Sequence, residues 1–349
     1  MKKAIFTTLL SSAFLTAWVD AQVMETPATL ALTEGGNPQG YVQNANDQGV
    51  TFSTTPGGRG QLVPYSRIRG EGIDKLIRFD ERAEQLEEPR ALFAAGDYDA
   101  AAAAFGKVAK DYAIILGAPR NFATEALFYQ LESIRRSGKF GQLPPLVNSA
   151  AAKSIEKNLG EEHRRLHEFQ KMLSLMAEEK TDELAEAISA YEEPVVGDAK
   201  LLGTPNFKKL PSSELHLLSF LRGKVYEARD EKGKALDDYY AACTLAYGND
   251  DTITKLAMGA AMVIQKEDPL LASENQTAVA EMQSIAFLFS KRFGRDSMPP
   301  EFEKFAVPPP VVRPSAEQQE ALSESEPTAE EGAAEEAAEE EKESDKGEE

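Results

Sequence analysis

One cysteine and three histidines among 349 residues leave little from which nucleophilic, redox or metal chemistry can be built. The lone thiol, Cys243, excludes an internal disulfide, and its place deep in a helical pattern marks it as a small packing residue. No Gly-x-Ser-x-Gly elbow, Cys-His pairing or Gly-x-x-x-x-Gly-Lys-Ser/Thr loop occurs, and Gly57-Gly58-Arg59-Gly60 reads as a hairpin turn. No catalytic residue and no cofactor is therefore expected. His163 and His167 stand four apart on one helix face, flanked by Glu162 and Glu168, a spacing able to hold a metal with one further ligand. Arg164 and Arg165 lie between them and repel a cation, so the stretch reads as a solvated polar face.

A basic excess is missing too. The net charge is -20, and residues 315–349 carry 15 acidic residues against two lysines. With no basic face to neutralise phosphates, nucleic acid is excluded as the main partner. Long apolar runs are absent except over residues 4–19, which falls short of the ~20 residues needed to span a bilayer. An integral membrane protein is thus not expected. Lys2 and Lys3 precede that run and Val19-Asp20-Ala21 closes it, the pattern of a bacterial export signal over residues 1–21 cleaved near Ala21. The mature chain is expected in the periplasm or outside the cell.

Hydrophobic residues at 42% and charged residues at 28% are enough for a sizeable core. Over residues 22–74 the apolar period is two: Leu30 and Leu32, Tyr41-Val42, Val50-Thr51-Phe52 and Leu62-Val63 are separated by Gly35-Gly36-Asn37-Pro38, Asn46-Asp47-Gln48-Gly49 and the glycine turn. This predicts three or four short antiparallel strands, too small a unit to stand alone.

From 75 to 295 the period becomes helical. In the stretch 216–248, Gly223, Tyr226, Ala235, Tyr239 and Ala242 are separated by 3, 9, 4 and 3 residues, with a turn at Asp230-Glu231-Lys232-Gly233. Small residues at 223, 235 and 242 let two antiparallel helices approach, and the tyrosines fill the groove between them. Gly96, Tyr98, Ala101 and Phe105 repeat the turn and second helix, with Pro89 inside the preceding helix as its start or a kink. A third set runs from Leu127, Leu131 and Ile134 through Gly138 to Leu143, Val147 and Ala150, where Pro144-Pro145 delays the second helix. A fourth helical pair spans 161–178 and 181–191, and a Gly- and Pro-rich insertion extends from there to 211. The 216–248 unit resembles a tetratricopeptide repeat, and the chain as a whole resembles exported bacterial tetratricopeptide proteins with a small N-terminal β-module. The resemblance implies a mainly α fold, a tetratricopeptide-like α-solenoid behind the β-module, that binds proteins or peptides along the first helices of its repeats.

By the matched spacing those groove positions are Phe128, Glu132 and Arg135, and again Phe220, Lys224 and Glu227, each triple an i, i+4, i+7 stripe. An aromatic beside a cation suits an extended peptide or an acidic helix. The alternative is an enzyme or metal-binding protein with its site in an insertion or at the junction of the β-module and the helices. Residues 296–314 read as a Pro-rich linker, and residues 315–349 as a disordered acidic tail with only Leu322 as a large apolar residue.

Overall fold

Alternating apolar residues in the first part of the chain form one antiparallel sheet, and the remainder of the described chain is almost entirely helical. The computed structural model describes residues 25–80, 84–196 and 210–308. The expected export signal and acidic tail lie outside the described residues. Among these, no helix is long and apolar enough to cross a membrane.

The strands are β1 (Thr26–Leu30), β2 (Gln39–Asn46), β3 (Gly49–Ser53), β4 (Gln61–Pro64) and β5 (Ile77–Phe79), in the order β4-β3-β2-β1-β5. Thr26, Ala28 and Leu30 turn one face of β1 inward, as period two requires. The sheet therefore passes the expected boundary at 74. β5 is only three residues long and is held by its pairing to β1, Leu30 opposite Ile77 and Ala28 opposite Phe79, a long-range pairing that local periodicity does not reveal. Nor does the sheet have a core of its own. Leu30, Val42, Phe52 and Phe79 belong to the same apolar cluster as Leu86, Phe105, Ile115 and Phe122 of the helical part. Phe79 meets Phe122 edge-on at 6.2 Å.

The helices are α1 (Glu84–Ala94), α2 (Tyr98–Asp111), α3 (Phe122–Arg136), α4 (Leu143–Val147), α5 (Ala150–Ile155), α6 (Glu161–Ala177), α7 (Thr181–Val196), α8 (Ser212–Ala228), α9 (Lys232–Ala246), α10 (Asp251–Lys266), α11 (Pro269–Ala272) and α12 (Gln276–Phe293). Pro89 lies inside α1. Pro144 and Pro145 do not delay a helix but open α4, where proline is tolerated. That element stops after five residues because Ser149 caps a new start, accepting from the Ala152 amide at 3.1 Å, so the second helix of the third set is split in two. α7 continues to Val196, into the stretch expected as an irregular insertion.

Four of these helices end alike. α1, α3, α6 and α8 each close with a residue of positive φ, at Gly96, Gly138, Glu179 and Asp230. At each, the next amide reaches back five residues: Asp97 to the Leu92 carbonyl (3.1 Å), Lys139 to Ile134 (3.3 Å), Lys180 to Leu175 (3.0 Å) and Glu231 to Tyr226 (2.9 Å). The amide of the positive-φ residue reaches back three, at 3.0 to 3.1 Å in all four. This is the Schellman turn, which satisfies the carbonyls left open at a helix end. Each turn leads into a partner: α2, the α4–α5 pair, α7 and α9.

Chain contacts divide the protein after Ala272 into two compact units. In the second, α12 is followed by 3₁₀ turns at Arg295–Ser297 and Pro300–Phe305. Met298, Phe302 and Ala306 are buried there, and Arg295 Nη2 donates to the Ala306 carbonyl at 2.8 Å. The described part of the expected linker is thus folded rather than extended, because its aromatic and aliphatic side chains have apolar surface to cover.

Candidate functional site

Of the two stripes expected to line an open groove, the α3 stripe is wholly buried and the α8 stripe is buried only at Phe220. Phe128, Glu132, Arg135 and Phe220 are buried. On α3 the cover is α6: the His163 ring stacks on Phe128 with centroids 4.2 Å apart. On α8, Phe220 packs towards Tyr239 of α9, while half-buried Lys224 and Glu227 pair with each other at 2.9 Å and Glu227 accepts the Tyr239 hydroxyl. The i, i+4, i+7 spacing marked faces that meet another helix, since an apolar stripe alone does not say whether its partner is internal.

The charged members of the α3 stripe belong to a buried ion network. Arg135 grips Glu132 with two N–H groups at 2.6 and 2.8 Å and reaches Asp250, at the start of α10, with a third at 2.6 Å. Asp250 also caps α10 through the Ile253 amide at 3.2 Å and takes a 3.3 Å contact from His216 of α8, whose other ring nitrogen lies 2.8 Å from the Ser212 carbonyl. Arg136 adds a bond to Glu132 at 3.2 Å and one to the Asn249 carbonyl at 2.8 Å. Burial works against both carboxylates, but His216 and the two arginines at Asp250, and Arg135 and Arg136 at Glu132, hold each below the ordinary carboxylate range. A bidentate arginine with all its acids satisfied is a structural pin, here tying α3, α8 and α10. Sequence reasoning missed Asp250 and His216. The one local signal was Asp250 as a helix cap; its partner Arg135 lies 115 residues away.

His167 is also buried rather than solvated, its Nδ1 facing Gln170 Oε1 at 2.9 Å, and burial lowers its pKa. Among the described residues no group of three or more His, Cys, Asp and Glu side chains is placed to hold a metal. Cys243 is buried, and burial raises its thiol pKa.

Of the residues read as repeat packing, Gly223 and Tyr239 meet where α8 and α9 pack together. A Cβ on Gly223 would fall 2.7 Å from the Tyr239 ring, so α9 approaches α8 closely at a position with no side chain. Ala235, Tyr239 and Ala242 are fully buried, while Tyr226 is half-buried beneath the Lys234 ammonium, 5.2 Å from its ring centre. In the first pair, Gly96 makes the turn, Tyr98 meets Phe93 edge-on at 5.3 Å, Ala101 is buried, and Phe105 stacks on Tyr129 at 5.4 Å.

Facing outward between α7 and α8 is a hollow of about 130 Å³, lined by Ile188, Ser189, Glu192, Arg222, Val225 and Tyr226 among others. Arg222 is held there between Glu192 at 3.2 Å and Asp238 at 3.3 Å. Asp238 is buried and neither of its oxygens has an aligned hydrogen bond; burial, only partly offset by Arg222, pushes its carboxyl up to about 6. No family model and no curated protein matches this chain.

Proposed function

We propose that this chain is an exported scaffold that binds other proteins through the outer face of tetratricopeptide-like helix hairpins. The observation that carries the reading is the Schellman turn repeated at Gly96, Gly138, Glu179 and Asp230, each joining a helix to the element that packs after it. Repetition of one hairpin with small residues at the crossing is how helical repeat proteins build extended binding surface. The turns fall 42, 41 and 51 residues apart, longer than the 34 of the tetratricopeptide consensus, so the likeness is one of hairpin packing rather than repeat length. Export is supported by the charged, apolar and small-residue pattern of residues 1–21.

With the α3 stripe and Phe220 buried and Lys224 paired to Glu227, the α7–α8 hollow offers a place for a partner side chain, an apolar floor at Ile188 and Val225 beside the Arg222 guanidinium. Ser189 is exposed on its rim, so Ser189→Trp fills the hollow without entering the core. Affinity capture from the cell envelope, run in parallel with the native chain and Ser189→Trp, tests this. A partner retained by the native chain and reduced about tenfold or more by Ser189→Trp is expected, the scale of a lost interface anchor. Identical proteins captured in equal amounts by both would contradict it.

A further inference from the structure

The β-module and the helices of the first unit leave a cleft of about 400 Å³ between them, the size of a small-ligand pocket. The two layers touch beside it: a Cβ on Gly117 would fall 2.5 Å from the Ala45 carbonyl oxygen. Two ion pairs tie the layers nearby, Asp47 with Lys157 at 3.0 Å and Asp74 with Arg120 at 2.6 Å.

The polar groups lining the cleft are only partly used by the protein. Lys75 donates to the Ile68 carbonyl at 3.2 Å and the Gly70 carbonyl at 2.6 Å, and an ammonium has a third N–H to give. Asn158 places its two amide hydrogens on the Leu116 and Ser154 carbonyls at 3.0 and 3.3 Å, which leaves Oδ1 as an acceptor. Tyr65 donates to the Gly117 carbonyl at 3.0 Å, so its oxygen lone pairs remain. Burial, with Asp47 adding to it, pushes the Tyr65 pKa to about 12 and keeps the phenol neutral. Ser154 adds a hydroxyl. Lys157 is paired with Asp47, but both side chains are largely exposed, at 71% and 83%, and such a pair holds weakly enough for the ammonium to turn to another anion.

We propose that this cleft binds a small hydroxylated carboxylate, a sugar acid by chemical class, with the carboxylate between Lys75 and Lys157 and the hydroxyls against Tyr65, Ser154 and Asn158. Two ammonium groups against the one lining carboxylate, Asp47, leave the cleft net positive and select the charge, and acceptors beside a hydroxyl select ligand O–H groups. The site is independent of the α7–α8 hollow and of partner binding there.

Titration of the isotope-labelled full chain with glucuronate, followed through backbone amide shifts, tests it, with glucose as the uncharged counterpart. Saturable shifts at Tyr65, Lys75, Ser154 and Asn158 are expected with glucuronate and none with glucose. Lys157→Gln, an exposed change, and Lys75→Met should each weaken glucuronate about tenfold or more, the scale of a lost charged hydrogen bond. Equal shifts with glucose, no saturation by about 10 mM glucuronate, or undiminished binding in Lys157→Gln overturns the proposal.

Discussion

Asp238 and Asp250 are both buried aspartates, yet their surroundings drive them in opposite directions. Asp250 is met by Arg135, His216 and a helix-capping amide, whereas Asp238 has only a poorly aligned arginine. For Asp250 and Glu132, depressed in the folded chain, the stability they add is present at neutral pH and is lost as pH falls below about 4. For Asp238, raised from 3.8 to about 6, the sign reverses: its contribution is best below pH 4 and is lost as pH rises through 6. A shift of that size corresponds to about 3 kcal/mol at pH 8 and about 1 kcal/mol at pH 4.5. Asp238→Asn is therefore expected to stabilise the protein at pH 8, with most of the gain gone at pH 4.5. Urea unfolding at the two pH values checks this, and a gain independent of pH, or a loss that grows with pH, would count against a strained buried carboxylate.

At the scale of elements, the recurring helix end is the organising device. Two of the four turns use glycine for the left-handed residue and two use Glu179 and Asp230, where a side chain costs about 1 kcal/mol. Glu179 is exposed, so nothing is lost by removing its side chain. Glu179→Gly should raise stability by about 0.5–1 kcal/mol and Gly138→Ala should lower it by about 1 kcal/mol. Thermal unfolding that ranks the two the other way would contradict the left-handed turns as the device that ends these helices. Two of these turns were legible because glycine announces them: Gly96 and Gly138 stand out between apolar runs. Asp230 was legible through the cluster around it. The turn at Glu179 was located only as the gap between the helices read over 161–178 and 181–191, since glutamate itself carries no turn signal. β5 escaped for a similar reason, being three residues held by a strand almost fifty residues earlier.

For the molecule as a whole, the period of the apolar residues carried the division into a sheet and a helical region, because each period follows from backbone geometry. Which faces were internal could not be read that way. Phe128 and Arg135 look like part of a surface stripe in one dimension and are met by residues of α6 and the start of α10, while Phe220 packs on its own hairpin partner α9; the ion network exists only in three dimensions. The junction of the β-module and the helices was legible as a place for a site, but not the cleft's lining, which is assembled from Tyr65, Lys75 and residues about eighty positions further on. The architecture rests on the close crossing of paired helices at small residues, seen most directly between α8 and α9. Ala235 is fully buried on α9 and Lys234, one residue earlier, is exposed. Overpacking a crossing costs on the order of 1–3 kcal/mol, while an exposed substitution changes stability by no more than about 0.5 kcal/mol. Equilibrium urea unfolding of Ala235→Leu beside Lys234→Leu is the measurement: a large loss for the first with almost none for the second is predicted, and equal losses for both would contradict the helix-hairpin architecture and the binding function drawn from it.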